Sequence, residues 1–393
     1  MNGPVEAVVM GLSPTGLYAV RELGRAGVRV GGVAASRQAG TRSRYLADCV
    51  VAANPAGRLD ALLDGFAAPG APLIPCSDQD VAFCVEHAAT LAAHLTLWPS
   101  VADGTAARIM DKEWLYGIAE ANGMAVPRTR TLARSDLADA AGELDYPCLL
   151  KPSLIHEVKH WMAGRKAWIA RDAEHLRALE AEWPPQEFTL LVQEIVAGPD
   201  SAIELYCAYF DGAGNAQEEF TARKLRQYPP GFGSASMVQS EDLPEIRECS
   251  RQLARLTGYR GILATEFKRD ANTGVLKLIE SNPRPSLWFA AASAAGKRLC
   301  VAAVREAGVR LDETIPAPPA GRSRWRYAGK DHYSAAHYRL RRDFVLPAPS
   351  IPGREADRVS VDAVLARDDP APAFGEVSNM VSKAWRRIVG KPT

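Results

Sequence analysis

The sequence has no long apolar run, no excess of either charge and no paired-cysteine motif. No stretch approaches the roughly 20 uninterrupted apolar residues that cross a bilayer, and mean hydropathy is −0.14, so no membrane span is expected. Lysine and arginine number 47 against 46 acidic residues, a net charge of +1, so no global field recruits nucleic acid. The first residues lack a basic stretch, and Glu6 and a Gly/Pro turn interrupt their apolar run; no signal peptide is expected. The 7 cysteines are an odd count and none forms C-x-x-C. That pattern suits buried thiols in a reducing cytoplasm and disfavours a disulfide or zinc framework. The pairs Gly296-Lys297, Gly329-Lys330 and Gly390-Lys391 are followed by Arg, Asp and Pro, which excludes a P-loop. What remains is a globular composition, 47% hydrophobic and 24% charged over 393 residues. At about 100–200 residues per domain, two to four domains or lobes are expected.

The chain opens on an α/β pattern. Val5 to Met10 reads as a buried strand, Gly11 to Gly16 as a turn, and Leu17, Val20 and Leu23 as one face of a helix ending at Gly27. Val28 to Val33 reads as the second strand of a parallel sheet. The turn is not G-x-G-x-x-G and no acid closes the second strand, so a plain turn, or a loop holding another ligand, is preferred to a dinucleotide site.

The middle of the chain carries the candidate chemistry. Asp111-Lys112 opens a helical stretch, and Tyr146 to Ser153 reads as a buried strand ending in Lys151. Leu190 to Asp200 is an apolar strand running into a Gly-Pro turn, and Ala202–Phe210 with Glu218–Leu225 reads as an antiparallel pair. Gly261–Lys268 and Val275–Ile279 form two strands joined by a turn, carrying Glu266 and leading into Glu280. The two glutamates can therefore face each other, with Asn282 on the face of Glu280. Two carboxylates and an amide oxygen are hard ligands suited to Mg²⁺, which also takes phosphate oxygens and water. The competing interpretation is a solvent-facing hairpin with stray acids. Lys112 and Lys151 are either snorkelling surface residues or, beside such a site, a charge clamp for a polyphosphate.

In this order, Asp111-Lys112, Leu149-Leu-Lys-Pro-Ser153, Val192-Gln-Glu-Ile-Val-Ala-Gly198, Glu266 and Glu280-Ser-Asn-Pro-Arg284 resemble the ATP-grasp superfamily. More narrowly they resemble its carboxylate–amine ligases, the group that includes D-aspartate ligase-like proteins. The resemblance implies an α/β and α+β architecture: an ATP-grasp fold preceded by a Rossmann-like parallel-sheet domain and followed by a C-terminal extension. The expected divisions are 1–105 for the first domain, 106–196 for the small lobe, 197–307 for the large lobe and 308–393 for the extension. It implies ATP as cosubstrate and two Mg²⁺ ions, or Mn²⁺ in their place, held by Glu266, Glu280 and Asn282. Lys112 and Lys151 would contact the α- and β-phosphates, and the Gln193-Glu194-Ile-Val196 segment would read the adenine edge through Glu194 and Val196. Asp200 would hold the ribose, with Glu204 as its substitute. Lys224 would sit near the γ-phosphate and metal, and Arg284 would bind the substrate carboxylate or the transferred phosphoryl group. Arg226 and the Pro229–Ser234 loop would line the acceptor side. The implied reaction joins a small-molecule acid to an amine through an acylphosphate, releasing ADP and phosphate. A carboxylate–thiol ligase, an ATP-dependent kinase and a catalytically silent nucleotide-binding regulator are the alternatives; the intact set of lysines and metal ligands speaks against the last. A cytoplasmic homodimer is expected.

One segment departs from the pattern. Where relatives carry a glycine-rich flap, this chain has Leu154 to Gly164, so closure over phosphates would rely on Lys159, His156 or His160. The same segment holds His156-Glu157-x-x-His160, the spacing of a zinc-protease helix. Pro152 and Gly164 bracket it too tightly for a long helix, and a protease leaves the lysines unexplained. Beyond Pro319, a basic aromatic stretch from Arg322 to Arg342 is opposed only by Asp331; a cap packed on the core is preferred to RNA or lipid contact. Val377 to Ile388 has the spacing of an amphipathic helix with a basic face, for core or dimer packing, with peripheral membrane contact as the lesser alternative.

Overall fold

Residues 4–64, 66–152, 167–183, 186–315, 321–341, 344–353 and 358–376 are described by the structure, a computed structural model. The His156-Glu157-x-x-His160 segment and the expected helix over 377–388 lie outside the described residues. Three sheets organise the described residues. The first holds β1 (Ala7–Met10), β2 (Val30–Ala34), β3 (Leu46–Val51), β4 (Ala71–Pro75) and β5 (Leu95–Thr96), all parallel, in the order β3-β2-β1-β4-β5. Helix Pro14–Arg25 starts where the Ser13 side chain accepts the Thr15 amide, and Gly27 beyond its end adopts φ 81°, a conformation glycine enters without a Cβ penalty. The preceding turn is tight for a reason. A Cβ on Gly11 would lie 2.2 Å from an Asp80 carboxylate oxygen, and one on Gly16 would lie 1.8 Å from the Gly11 carbonyl.

The second sheet is antiparallel, with order β6-β9-β7-β8: β6 is Thr129–Ala133, β7 Cys148–Pro152, β8 Trp168–Ala170 and β9 Thr189–Glu194. It has its own core, built around Leu150, Trp168, Leu176, Trp183 and Leu190. The third sheet runs β14-β13-β10-β11-β12-β15-β16. Its strands are β10 (Ile203–Phe210), β11 (Ala216–Tyr228), β12 (Ser234–Ser240), β13 (Gly261–Arg269), β14 (Leu276–Asn282), β15 (Arg322–Arg326) and β16 (Arg358–Asp362). One apolar core is continuous between the first sheet and the third.

The C-terminal extension does not stand apart. β15 and β16 complete the third sheet, Trp325 is fully buried, and helix Ala328–Leu340 packs on β11 and β12. Residues 322–341 of the basic aromatic stretch thus pack on the third sheet through β15 and the helix after it. All described cysteines are free thiols, five of them buried. Among the described residues no helix is long and apolar enough to cross a membrane.

Candidate active site

β13 and β14 pair antiparallel with Glu266 directly opposite Glu280. Opposed residues of such a ladder project to one face, so the two carboxylates confront each other. The register then slips: Phe267 faces Leu278, leaving Ile279 as the extra residue of a bulge. Bulges re-aim groups out of the ladder, and here the Ile279 carbonyl accepts the Tyr116 hydroxyl at 2.7 Å and the Lys112 ammonium at 3.3 Å. Lys112 opens helix Lys112–Ala121, whose start is fixed because the Asp111 side chain accepts the Glu113 and Trp114 amides. The bulge and the helix cap together set Lys112 beside Glu280.

Lys224 reaches Glu266 from β11, with its ammonium 2.5 Å from Oε2 and its side chain 2% exposed. Asn282 donates its amide N–H to Glu280 Oε1 at 3.1 Å and accepts Arg284 through Oδ1 at 3.0 Å. Arg284 also donates to Asp78 at 2.7 Å, at the start of helix Asp78–Glu86, and so ties that helix to the end of β14. Lys151, Glu266, Glu280, Asn282 and Arg284 line one cleft of about 450 Å³. The cleft is also lined by Ser13 and Thr15, the Phe232–Ser234 loop, and Tyr327 and Lys330. A larger cavity of about 680 Å³ lies between helix Pro14–Arg25 and β16. Its one buried carboxylate, Glu22, is taken up by Tyr18, Ser293 and the Cys300 and Val301 amides.

The electrostatics of the facing pair are unequal. Burial raises the Glu280 carboxyl, but Lys112, Lys224, the Asn282 amide and Lys151 outweigh it and hold it down at about 2. Burial raises the Glu266 carboxyl too; Lys224 pulls it down, the charge of Glu280 pushes it up, and the net shift is upward. One further negative charge is therefore disfavoured here unless a cation enters. Among the described residues, one oxygen each of Glu266 and Glu280 lacks a hydrogen-bond donor. No group of three or more His, Cys, Asp or Glu side chains could hold a metal among those residues. The set is two carboxylates and an amide, which fits a hard ion that keeps waters and substrate oxygens.

The remaining expected residues are distributed differently. Glu194, at the end of β9, accepts Arg128 at 2.7 Å and also Lys277 of β14; burial raises its carboxyl, and these two cations bring it below the ordinary range. The Val196 carbonyl accepts Lys268 at 2.7 Å. Gln193 donates to Thr129 at 2.9 Å and Tyr116 at 3.3 Å. The contacts of Lys277 with Glu194 and of Lys268 with Val196 join β9 and the residues after it to the third sheet. Asp200 is not brought to the cleft: it is 0% exposed and accepts Gln227, the Gly231 amide and Tyr338. Nor is Glu204, which lies on the other face of the third sheet, pairing with Arg269 at 3.1 Å and Arg223 at 3.6 Å. Arg226 is engaged by Asp331 through two bonds of 2.7 Å and does not line the cleft. Sequence reasoning missed Tyr116, Asp78, Tyr327 and Lys330. Tyr116 lies one helical turn after Lys112, which is a usable signal; the others come from segments distant in sequence and carry none.

No protein-family model matches the chain. The large chain of carbamoyl phosphate synthase from Thermotoga maritima is 29% identical over 220 residues, covering 52% of this chain and 19% of that protein. The corresponding Thermus thermophilus protein is 27% identical over 236 residues, covering 53% of this chain and 21% of its own length. The chain thus spans about a fifth of the curated relatives it matches. Among solved structures, biotin carboxylase from Campylobacter jejuni, in its β-γ-ATP complex, superposes with TM-score 0.59 at 16% identity, covering 81% of this chain and 74% of that one. L-amino acid ligase from Bacillus licheniformis gives 0.56 at 14% identity, covering 82% and 79%. N5-carboxyaminoimidazole synthase from Aspergillus clavatus, with ADP and 5-aminoimidazole ribonucleotide, gives 0.57 at 12% identity, covering 81% and 80%.

Proposed function

We propose that this chain, which has the ATP-grasp fold, is an ATP-dependent, ADP-forming ligase joining a small carboxylic acid to an amine. The observation that carries the reading is the placement of Glu266 opposite Glu280, in one cleft with Lys151, Asn282 and Arg284. The solved relatives with this fold include an L-amino acid ligase and proteins bound to ADP, an ATP analogue or magnesium ADP, which supports the nucleotide and the metal. Mg²⁺, as one or two ions, or Mn²⁺ on the same oxygen donors, would be held by Glu266, Glu280 and Asn282. When bound it neutralises phosphate charge and polarises the γ-phosphoryl group.

The reaction then has two steps. An oxygen of the acid attacks the γ-phosphorus, the bond from that phosphorus to the β–γ bridging oxygen breaks, and ADP leaves with an acylphosphate formed. The amine attacks the acyl carbon, loses a proton, and phosphate departs. The first barrier is mainly the approach of one anion to another. Lys112 and Lys151 offset the phosphate charge, Lys224 stabilises the ionised form of Glu266, and Arg284 orients the attacking carboxylate. The seven free thiols support a reducing, cytoplasmic setting, and the reading includes a homodimer, which sedimentation velocity checks.

The test is phosphate release from ATP and Mg²⁺ across pairs of small acids and amines, with product mass determined. Stoichiometric ADP, phosphate and amide are expected for at least one pair. ATP binding with no stimulation by any pair would favour a silent nucleotide-binding regulator, and release only with thiol acceptors would favour a carboxylate–thiol ligase.

A further inference from the structure

The larger of the two cavities lies beside the catalytic cleft and has a different character. It measures about 680 Å³ and is enclosed by helix Pro14–Arg25, helix Ala290–Ala294 and β16. Leu287 is the one lining residue that it shares with the cleft. We propose that this cavity is a second ligand site, for a small amphipathic anion with an apolar body and one carboxylate or phosphate-like head.

The wall accounts for the apolar body. Leu287, Ala290, Ala294, Val359, Val361 and Leu365 line the cavity. Val359 and Leu365 remain 44% and 63% exposed, although the backbone holds both in place. Val359 pairs with Ser323 in the ladder of β15 and β16, and the Leu365 amide donates to Asp362 at 3.0 Å. Apolar surface fixed in contact with water is unfavourable by about 25 cal/mol per Å², and a ligand that covers it gains that energy. The volume is that of a small-molecule site.

The charges account for the head. Four arginines, Arg21, Arg25, Arg298 and Arg367, line the cavity with two acids, Glu22 and Asp362. Both acids are committed to the fold. Glu22 accepts Tyr18, Ser293 and the Cys300 and Val301 amides, and Asp362 accepts the Ala328, Val364 and Leu365 amides. Arg21 and Arg25 are neutralised by Asp369 and Asp368. Arg298 and Arg367 have no side-chain partner among the described residues. Arg298 is the more informative, because it is half-buried rather than extended into water. It lines both this cavity and an adjoining one of about 330 Å³, whose acids, Asp312 and Glu313, are not paired with it. A weakly hydrated guanidinium beside an apolar wall is the complement of a carboxylate or phosphate carried on an apolar body.

The test uses the full chain without nucleotide, so its outcome leaves the ligase reading untouched. The probe is anilinonaphthalene sulfonate, followed by its fluorescence and displaced with octanoate, octyl phosphate or octanol. One of the two anions should displace it at a concentration at least about tenfold below that of octanol, the scale of one charge-assisted hydrogen bond; the stronger anion identifies the head. Arg298→Gln should bring that anion to within about twofold of octanol. Ala294→Phe, which fills the cavity, should weaken the probe itself at least about tenfold with the circular dichroism spectrum unchanged; if it unfolds the chain, Arg298→Gln decides alone. Equal displacement by octanol and both anions, displacement by none of the three, or an anion preference that survives Arg298→Gln would overturn the assignment. So would probe binding that weakens as chain concentration rises, with dimer formation in sedimentation velocity, which would give this face to a second copy of the chain.

Discussion

Glu280 is where the charges of the cleft converge: Lys112, Lys224 and Lys151 act on it and the Asn282 amide bonds it. Glu280→Gln keeps the shape and removes the charge. Phosphate release should fall at least about 10²-fold, as on losing one electrostatic stabiliser, with the circular dichroism spectrum unchanged; an undiminished rate would remove Glu280 from the mechanism. Asp200 gives the contrasting case. Burial raises its carboxyl, so between its unfolded value, about 3.9, and its higher folded value, the folded chain binds more protons than the unfolded one. Its contribution to stability therefore declines as pH rises through that window. The stability of the wild type relative to Asp200→Asn, from urea unfolding, should be greater at pH 4 than at pH 7, and the affinity of the variant for an ATP analogue should match the wild type. An opposite pH trend, or a loss of nucleotide affinity, would contradict this placement. The sequence shows an acid after a Gly-Pro turn but not whether its side chain meets a cleft or Gln227 and Tyr338. For Glu204 the difference is one residue of strand parity: Ile203 and Leu205 share the face of Lys224 and Glu266, and Glu204 takes the other.

Among the elements, β10, β13 and β14 were legible because apolar runs and turn residues bound them. β8 has only three residues, and β12, Ser-Ala-Ser-Met-Val-Gln-Ser, has neither a run nor clean alternation of apolar residues. Its place is decided by β11 and β15 on either side. The bulge at Ile279 was invisible as well, because no glycine or proline marks it; the hydrogen bonds from Tyr116 and Lys112 do. The docking of helix Ala328–Leu340 gives an element-level test. Arg226 and Asp331 form a pair with side chains 16% and 2% exposed. Removing one partner leaves a buried charge, so Arg226→Met should cost about 3–5 kcal/mol in urea unfolding, and Arg226→Met with Asp331→Leu should recover much of that. Additive losses in the double variant would mean that the pair is not coupled as the contacts indicate.

Across the whole molecule, the first sheet and the third share one core while the second sheet has another. The second and third sheets meet through Lys277 on Glu194 and Lys268 on Val196. Composition carries none of this, because the joining groups are single polar residues far apart in sequence; the order of the motifs did carry the architecture. Two separate cores allow local opening of one without the other. Hydrogen exchange should therefore show β7 and the start of helix Lys112–Ala121 slowed by Mg²⁺ with an ATP analogue, while β1 and β4 of the first sheet stay unchanged. Uniform slowing, or none, would contradict nucleotide binding between the second and third sheets. The most direct measurement is anomalous diffraction from crystals grown with Mn²⁺ and an ATP analogue. The account predicts a manganese peak between the carboxylates of Glu266 and Glu280, with nucleotide phosphates beside Lys112 and Lys151. Nucleotide bound with no metal density between those glutamates, or metal held elsewhere, would contradict it.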